Sequence, residues 1–327
     1  ALFFFFFLLI GMKTFLFFLL LLGSISLFSQ SGNGITVKAR VYLEGALINN
    51  GNAVSSTGRP LMRDNLRLSP FSSESYLPVN DPYKYGHPNF DITSRFTHLP
   101  ANQPNNQHQI DSAILTVSGD DAIVDWVFME LRSASDSTLV VATRSCLVQR
   151  DGDIVDLDGV SPVFFENTTG NLFYVAVRHR NHLGAMSRLV NISQIVDFTS
   201  PSTPVFDFGV VSPTLNYTGM AQNSQVISGY NALFGGDFNA DGAVKAMGAN
   251  DDLSVLMYDV IFHTPNTQYR SSYDSAIGYF NSDFNLNSKS KFDNPFDDTN
   301  FLYGQVFFYP NNVKLHLNYA SLIEQLP

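Results

Sequence analysis

The segment GDFNADGAVKAMGANDD, residues 236–252, sets oxygen-bearing side chains at alternate positions. Asp237, Asn239 and Asp241 fall at positions 1, 3 and 5 of a loop. Gly242 follows where the chain must turn sharply, and Ala243 can offer its carbonyl at position 7. This is a donor set suited to calcium, which takes about six to eight oxygens at about 2.3–2.6 Å from carboxylates, amides and backbone carbonyls. A twelve-residue loop would close its shell with a carboxylate at position 12, where this chain has Gly248. The next acids are Asp251 and Asp252, so Asp252 closes the loop at position 16.

A second copy shows that the long loop is a regular feature. Shifted by 46 residues, the pattern returns without gaps over about 30 residues as SDFNLNSKSKFDNPFDDTNFLYGQVFFYPNN, beginning at Ser282. Asp237 aligns with Asp283, Asn239 with Asn285, Asp241 with Asn287, Ala243 with Lys289, and Asp252 with Asp298. Apolar residues follow each acid pair. Leu253, Leu256, Met257 and Val260 recur at helical spacing, and Phe301, Leu302 and Phe308 do so less strictly. The spacing predicts a loop followed by an amphipathic helix in each copy. Each unit is too small to bury its apolar face alone, so metal binding and folding should be coupled.

The pair resembles the dockerin-like tandem calcium repeats at the C-terminal ends of secreted bacterial proteins, in an extended form D-x-N-x-D-G-x-V-K with a late N-D or D-D. Asp237, Asn239, Asp241, Gly242, Val244, Lys245 and Asp252 carry the match in the first copy. The resemblance implies two Ca2+ sites with EF-hand-like loop-helix geometry. The first would use Asp237, Asn239, Asp241, Ala243 and Asp252, and the second Asp283, Asn285, Asn287, Lys289 and Asp298. The second copy departs from the pattern at Asn287, which costs a charge, and at Ser288, which stands where Gly is usual. With Lys289 and Lys291 close by, it should be the weaker site, filled only near extracellular calcium levels of order 10⁻³ M.

These loops need a body to hold them. The chain has 327 residues, and its first 28 are almost wholly apolar. MKTFLFFLLLLGSISLFSQ, from Met12, has the layout of a secretory signal peptide, so residues 1–30 are read as a leader; a membrane anchor is the structural alternative. Residues 1–11 lie upstream of that plausible start and are read as a gene-start error. After cleavage no stable membrane span is expected. Recurrent Val-, Phe- and Thr-rich runs between Ile110 and Ile195, with SGDD, SASDS, RDGD and NTTGN between them, predict an antiparallel β-sandwich over residues 35–200. Trp126 and Phe128 face one side and Val127, Met129 and Leu131 the other, which predicts a strand buried on both faces. A Pro/Ser/Thr-rich stretch makes 201–228 a linker or extra strand, and 229–327 the calcium module. The fold class expected is thus mainly β with a small α-helical dockerin-like domain. The stretch IVDWVFMELRSASDSTLVVATRSCLVQRDGDIVDLDG also resembles an uncharacterised β-rich module joined to such repeats, with no established activity implied.

Charge and motif content narrow the function. The net charge is −10, and residues 229–327 carry 11 acidic against 5 basic side chains, which argues against nucleic acid as a partner. The single cysteine, Cys146, reads as a buried strand residue. No nucleophile elbow, zinc-protease helix or phosphate loop is present. The acids Asp151, Asp153, Asp156 and Asp158 read as a hairpin tip and turn, with a third metal site as the alternative. His179 and His182, flanked by Arg178 and Arg180, would face opposite sides of a strand unless the strand ends between them, which argues against joint zinc ligation. They read as covering the sheet edge, with a strand-end cluster that contacts a sugar or carboxylate as the alternative. Tyr76, Tyr83, Tyr85 and Phe90 read as pinning a long loop to the sheet, with sugar stacking as the alternative. Two functions remain open. One is a secreted or cell-surface, non-catalytic adhesion or docking protein for an extracellular glycan or protein. The other is a polysaccharide-active hydrolase component that carries the calcium module as an accessory.

Overall fold

The computed structural model describes residues 33–51, 53–83, 108–208, 221–293, 297–320 and 322–327. The leader reading at 1–30, the aromatics Tyr85 and Phe90, and residues 209–220 of the proposed linker lie outside the described residues. Strand-rich sequence builds strand-rich structure. The strands are β1 (Gly34–Val37), β2 (Ala39–Arg40), β3 (Ile123–Ser133), β4 (Asp136–Gln149), β5 (Asp153–Val155), β6 (Val163–Glu166) and β7 (Leu172–Arg178). They continue with β8 (Ala185–Met186), β9 (Val190–Asn191), β10 (Val196–Asp197), β11 (Asn223–Ile227), β12 (Tyr230–Ala232), β13 (Ala276–Ile277) and β14 (Lys289–Ser290). Among the described residues the α-helices are α1 (Glu44–Leu47), α2 (Asp252–Ile261) and α3 (Asp298–Phe307).

The main sheet runs β10-β2-β5-β4-β3-β7-β8, with β9 also on β7, and β1 pairs with β6 beside it. All pairs are antiparallel except β2 with β10. β3 is buried along both faces from Ile123 to Arg132, as its doubled apolar pattern predicts. Tyr83 is buried and its hydroxyl donates to the Trp126 carbonyl at 2.8 Å, pinning the long loop onto β3. Cys146 is buried in β4, and burial raises its thiol pKa well above the ordinary value, which keeps it protonated. The acidic hairpin also has structural partners. Asp153 pairs with Arg40, Asp156 with Arg144 at 2.6 Å, and Asp158 accepts from the Val160 and Ser161 amides.

Gly34–Pro327 forms one compact unit whose described residues hold two large apolar cores and a small third one around Ala176, Met186, Phe206 and Leu326. The second core contains Val244, Leu256 and Val260 from one repeat, Leu302 and Val306 from the other, and Leu183 from beyond β7. Contact with the sheet side is close. A Cβ at Gly45 of α1 would lie 1.8 Å from the Phe284 carbonyl oxygen, so only glycine lets α1 abut the second loop. Among the described residues no helix is long and apolar enough to cross a membrane.

Candidate metal centre

The two loops fold alike, and the backbone amides that bond the two buried acids recur 46 positions later. Asp237 is buried; its Oδ1 accepts from the Asp241 amide and its Oδ2 from the Gly242 amide, both at 3.1 Å. Asp283 is also buried, and accepts in the same way from the Asn287 and Ser288 amides at 3.0 and 2.7 Å. Asp252 reaches back from the first turn of α2. Its Oδ1 takes the Phe238 and Asn239 amides at 2.7 and 3.2 Å, and its Oδ2 takes the Lys245 amide at 2.7 Å. Asp298 repeats this with the Phe284 and Lys291 amides at 3.0 and 2.8 Å. Position 16 therefore braces both ends of the loop, which explains why the acid comes late. The preceding acids, Asp251 and Asp297, are helix N-caps that accept from the Ser254 and Asn300 amides at 2.8 and 2.7 Å.

The intermediate positions complete the loops. Asn239 Oδ1 accepts from the Asp241 amide at 2.9 Å, and Asp241 Oδ1 from the Ala243 amide at 3.0 Å. Asp241 is exposed, and its Oδ2 meets Lys245 Nζ at 3.2 Å. Ala243 is buried and bridges Ile323 of the C-terminal segment. In the second loop Asn287 Oδ1 accepts from the Lys289 amide at 2.9 Å. Lys289 lies opposite Ile277 in the β13–β14 pair, and its ammonium turns away to Asp274 at 2.9 Å. Asn285 is 6 % exposed, and its Oδ1 is buried without a hydrogen-bond partner. Ser288 has φ of 72°, matching Gly242 at 81°; its hydroxyl bonds that of Ser69 at 2.6 Å.

Electrostatics separate the copies. In the first, burial raises the Asp237 pKa well above the ordinary carboxylate value, and the negative charges of Asp252, Glu324 and Asp241 add to the rise. Burial pushes Asp252 up to about 7, even though three backbone amides favour its ionised form. Among the described residues neither acid joins an ion pair; Lys245 pairs with Asp241 instead. In the second copy burial pushes Asp283 up to about 6, opposed by Arg180, the Asn287 and Ser288 amides and Arg63. Burial and Asp283 together raise Asp298 well above the ordinary value. Burial lowers the Arg63 pKa, and Asp283 and Asp298 oppose that shift only in part. A buried carboxylate pair is unfavourable when both members are ionised and no cation is present. The second pair has arginine charge nearby, whereas the first gathers further acids.

Calcium fits these residues in chemistry: all side-chain donors are oxygens, the acids are buried in pairs, and Asn285 leaves a buried amide oxygen unpaired. Each loop holds only one close acid pair, and among the described residues no group of three or more His, Cys, Asp or Glu converges as a metal cluster.

A buried polar network joins the second loop to the sheet. β7 ends at Arg178, so His179 and His182 are not constrained to opposite faces and meet Nδ1 to Nδ1 at 3.0 Å. His179 Nε2 lies 3.1 Å from Asp125 Oδ2, which also accepts from Arg180 Nε at 2.9 Å. The Tyr279 hydroxyl donates to Asp125 Oδ1 at 2.7 Å. Burial opposes the Asp125 charge, but Arg180, His179 and Tyr279 outweigh it and hold its pKa near 2. Asn181 Nδ2 donates to the Asn281 and Asp283 carbonyls at 2.8 and 2.9 Å, and Arg180 donates to the Phe280 carbonyl. Burial lowers the pKa of both histidines, so the pair is neutral.

Sequence reading missed Arg63 and Glu324, which reach the loops across long sequence separations and leave no local signal. It also missed Asn266 and Asn312. Each caps its own helix by donating to the Val260 or Val306 carbonyl, at 2.9 and 2.8 Å. Their shared 46-residue offset was a readable signal. Compared with family models, curated proteins and solved structures, the chain matches none.

Proposed function

We propose that this chain is a secreted, calcium-binding, non-catalytic adhesion or docking protein for an extracellular glycan or protein. Its sheet body is read as a β-sandwich and its C-terminal part as a dockerin-like pair of EF-hand-like loop-helix units. One observation carries the reading: the same buried acid pair is built twice, 46 residues apart, with the same backbone amides around it. Calcium in the first loop would draw on Asp237, Asn239, Asp241, the Ala243 carbonyl and Asp252. In the second it would draw on Asp283, Asn285, Asn287, the Lys289 carbonyl and Asp298. The ion supplies positive charge that the buried pairs lack, and so favours the folded loops. Arg63 and Arg180 already offset part of the second pair's charge, so the second site is the weaker. Isothermal calorimetry of the full chain at pH 7.5 tests this. Two unequal calcium affinities are expected, and no heat up to about 10 mM calcium would end the claim.

A further inference from the structure

A cavity of about 710 Å³ opens between α1 and the C-terminal end of α3, within the roughly 300–1,000 Å³ range of small-molecule sites. Its polar lining is specific. Glu44 is 4 % exposed, and its Oε2 accepts from the Gly235 amide at 2.8 Å and from Gln305 Nε2 at 2.6 Å. With its amide nitrogen committed to Glu44, Gln305 Oε1 has no hydrogen-bond partner among the described residues. Asn50 similarly gives Nδ2 to the Leu61 carbonyl at 2.6 Å and keeps Oδ1 unbonded. The Asn49 side chain makes no hydrogen bond and sits exposed at the rim, on a backbone with φ of 55°. Phe308 stands at the other rim, 69 % exposed, and Phe234 lines the wall. Among the described residues no Lys, Arg or His lines the cavity, so no cationic side chain faces a ligand there.

We propose that this cavity binds a neutral saccharide. Ligand hydroxyl groups donate to the free amide oxygens of Gln305 and Asn50, Asn49 supplies an adaptable donor and acceptor, and the C–H face of a sugar ring covers Phe308. Amide acceptors beside an exposed aromatic ring suit a ligand that is polar at its edges and apolar on its faces. The inference rests on the binding-protein reading above and narrows its partner to a glycan. The other repeat provides an internal control. Phe262 aligns with Phe308 and is 57 % exposed, but Asp259 stands where Gln305 would be and accepts from the Ser282 hydroxyl at 2.5 Å. That helix end lacks the free amide oxygen.

The test is calorimetry of the full chain in calcium with glucose, galactose, mannose, N-acetylglucosamine and their disaccharides. At least one is expected to bind with Kd below about 10 mM, with Phe308→Ala weakening it by about tenfold or more and Phe262→Ala by less than about twofold. Melting curves of Phe308→Ala should match the parent, because the ring is exposed. The proposal is overturned if none of these sugars binds at about 10 mM, or if both phenylalanine variants weaken binding equally. Calcium uptake is read separately. Silence towards sugars with calcium bound defeats the cavity and leaves the metal reading intact, and sugar binding without calcium uptake does the reverse.

Discussion

Asp251 and Asp252 are adjacent acids with separate duties. Asp251 caps α2 from outside the loop, whereas Asp252 collects three loop amides. Asp251→Ala should cost about 1 kcal/mol of stability and leave calcium affinity nearly unchanged. Asp252→Ala should lower calcium affinity at the first loop by about tenfold or more, since it releases the amides that shape the loop, a loss near 1.4 kcal/mol. Calorimetry and denaturant melts of the two variants separate these outcomes. The pH dependence has a definite sign. The folded pKa values of Asp252, about 7, and Asp283, about 6, lie above the ordinary aspartate value of 3.8. Without metal, these groups stabilise the fold most below pH 3.8, and that contribution is lost as pH rises towards 7. Calcium and protons compete for the same oxygens. The rise in melting temperature given by calcium over chelator should therefore be large at pH 7.5 and shrink towards pH 5. A constant difference would show that the acids are not the ligands. The buried histidines, with lowered pKa values, act in the opposite direction, but equally in both arms.

Each loop forces its fourth residue into the left-handed region: Ala240 and Leu286 both have φ of 54°. Glycine adopts that conformation without the Cβ clash. Ala240 is only half-buried, so Ala240→Gly should stabilise the calcium-free protein by about 0.5–1 kcal/mol, read in denaturant melts. At this scale the sequence was most informative. The 46-residue offset was plain over about 30 residues, and structurally it runs further. Phe238 and Phe284 meet edge to face at 6.3 Å, Tyr269 and Leu315 share positive φ, and Ile323 bridges Ala243 as Ile277 pairs with Lys289. Short-range rules reveal caps, loop ligands and a doubly buried strand, because each is written within a few residues. The cavity between α1 and α3 was not legible, since Glu44 and Gln305 meet across 261 positions.

Across the molecule, the sheet and the repeats are tied by charge as well as by apolar packing. Arg178 bonds Glu130 at 3.0 Å and also pairs with Glu324, whose amide bonds the Gly242 carbonyl of the first loop at 2.8 Å. Asp125 anchors the corresponding link to the second loop through Arg180 and Tyr279. Asp125→Asn should cost about 3–5 kcal/mol, because it leaves the buried Arg180 charge without its carboxylate. It should also weaken calcium at the second loop more than at the first, a split that calorimetry resolves. These links make the full chain, not an excised tail, the right object for the decisive measurement. That measurement is the melting temperature of the full chain at pH 7.5 in about 10 mM calcium and in excess chelator. Binding to the folded loops predicts a higher melting temperature with calcium, and Asp237→Asn should remove most of that gain. Superimposable melting curves in calcium and in chelator would contradict the account.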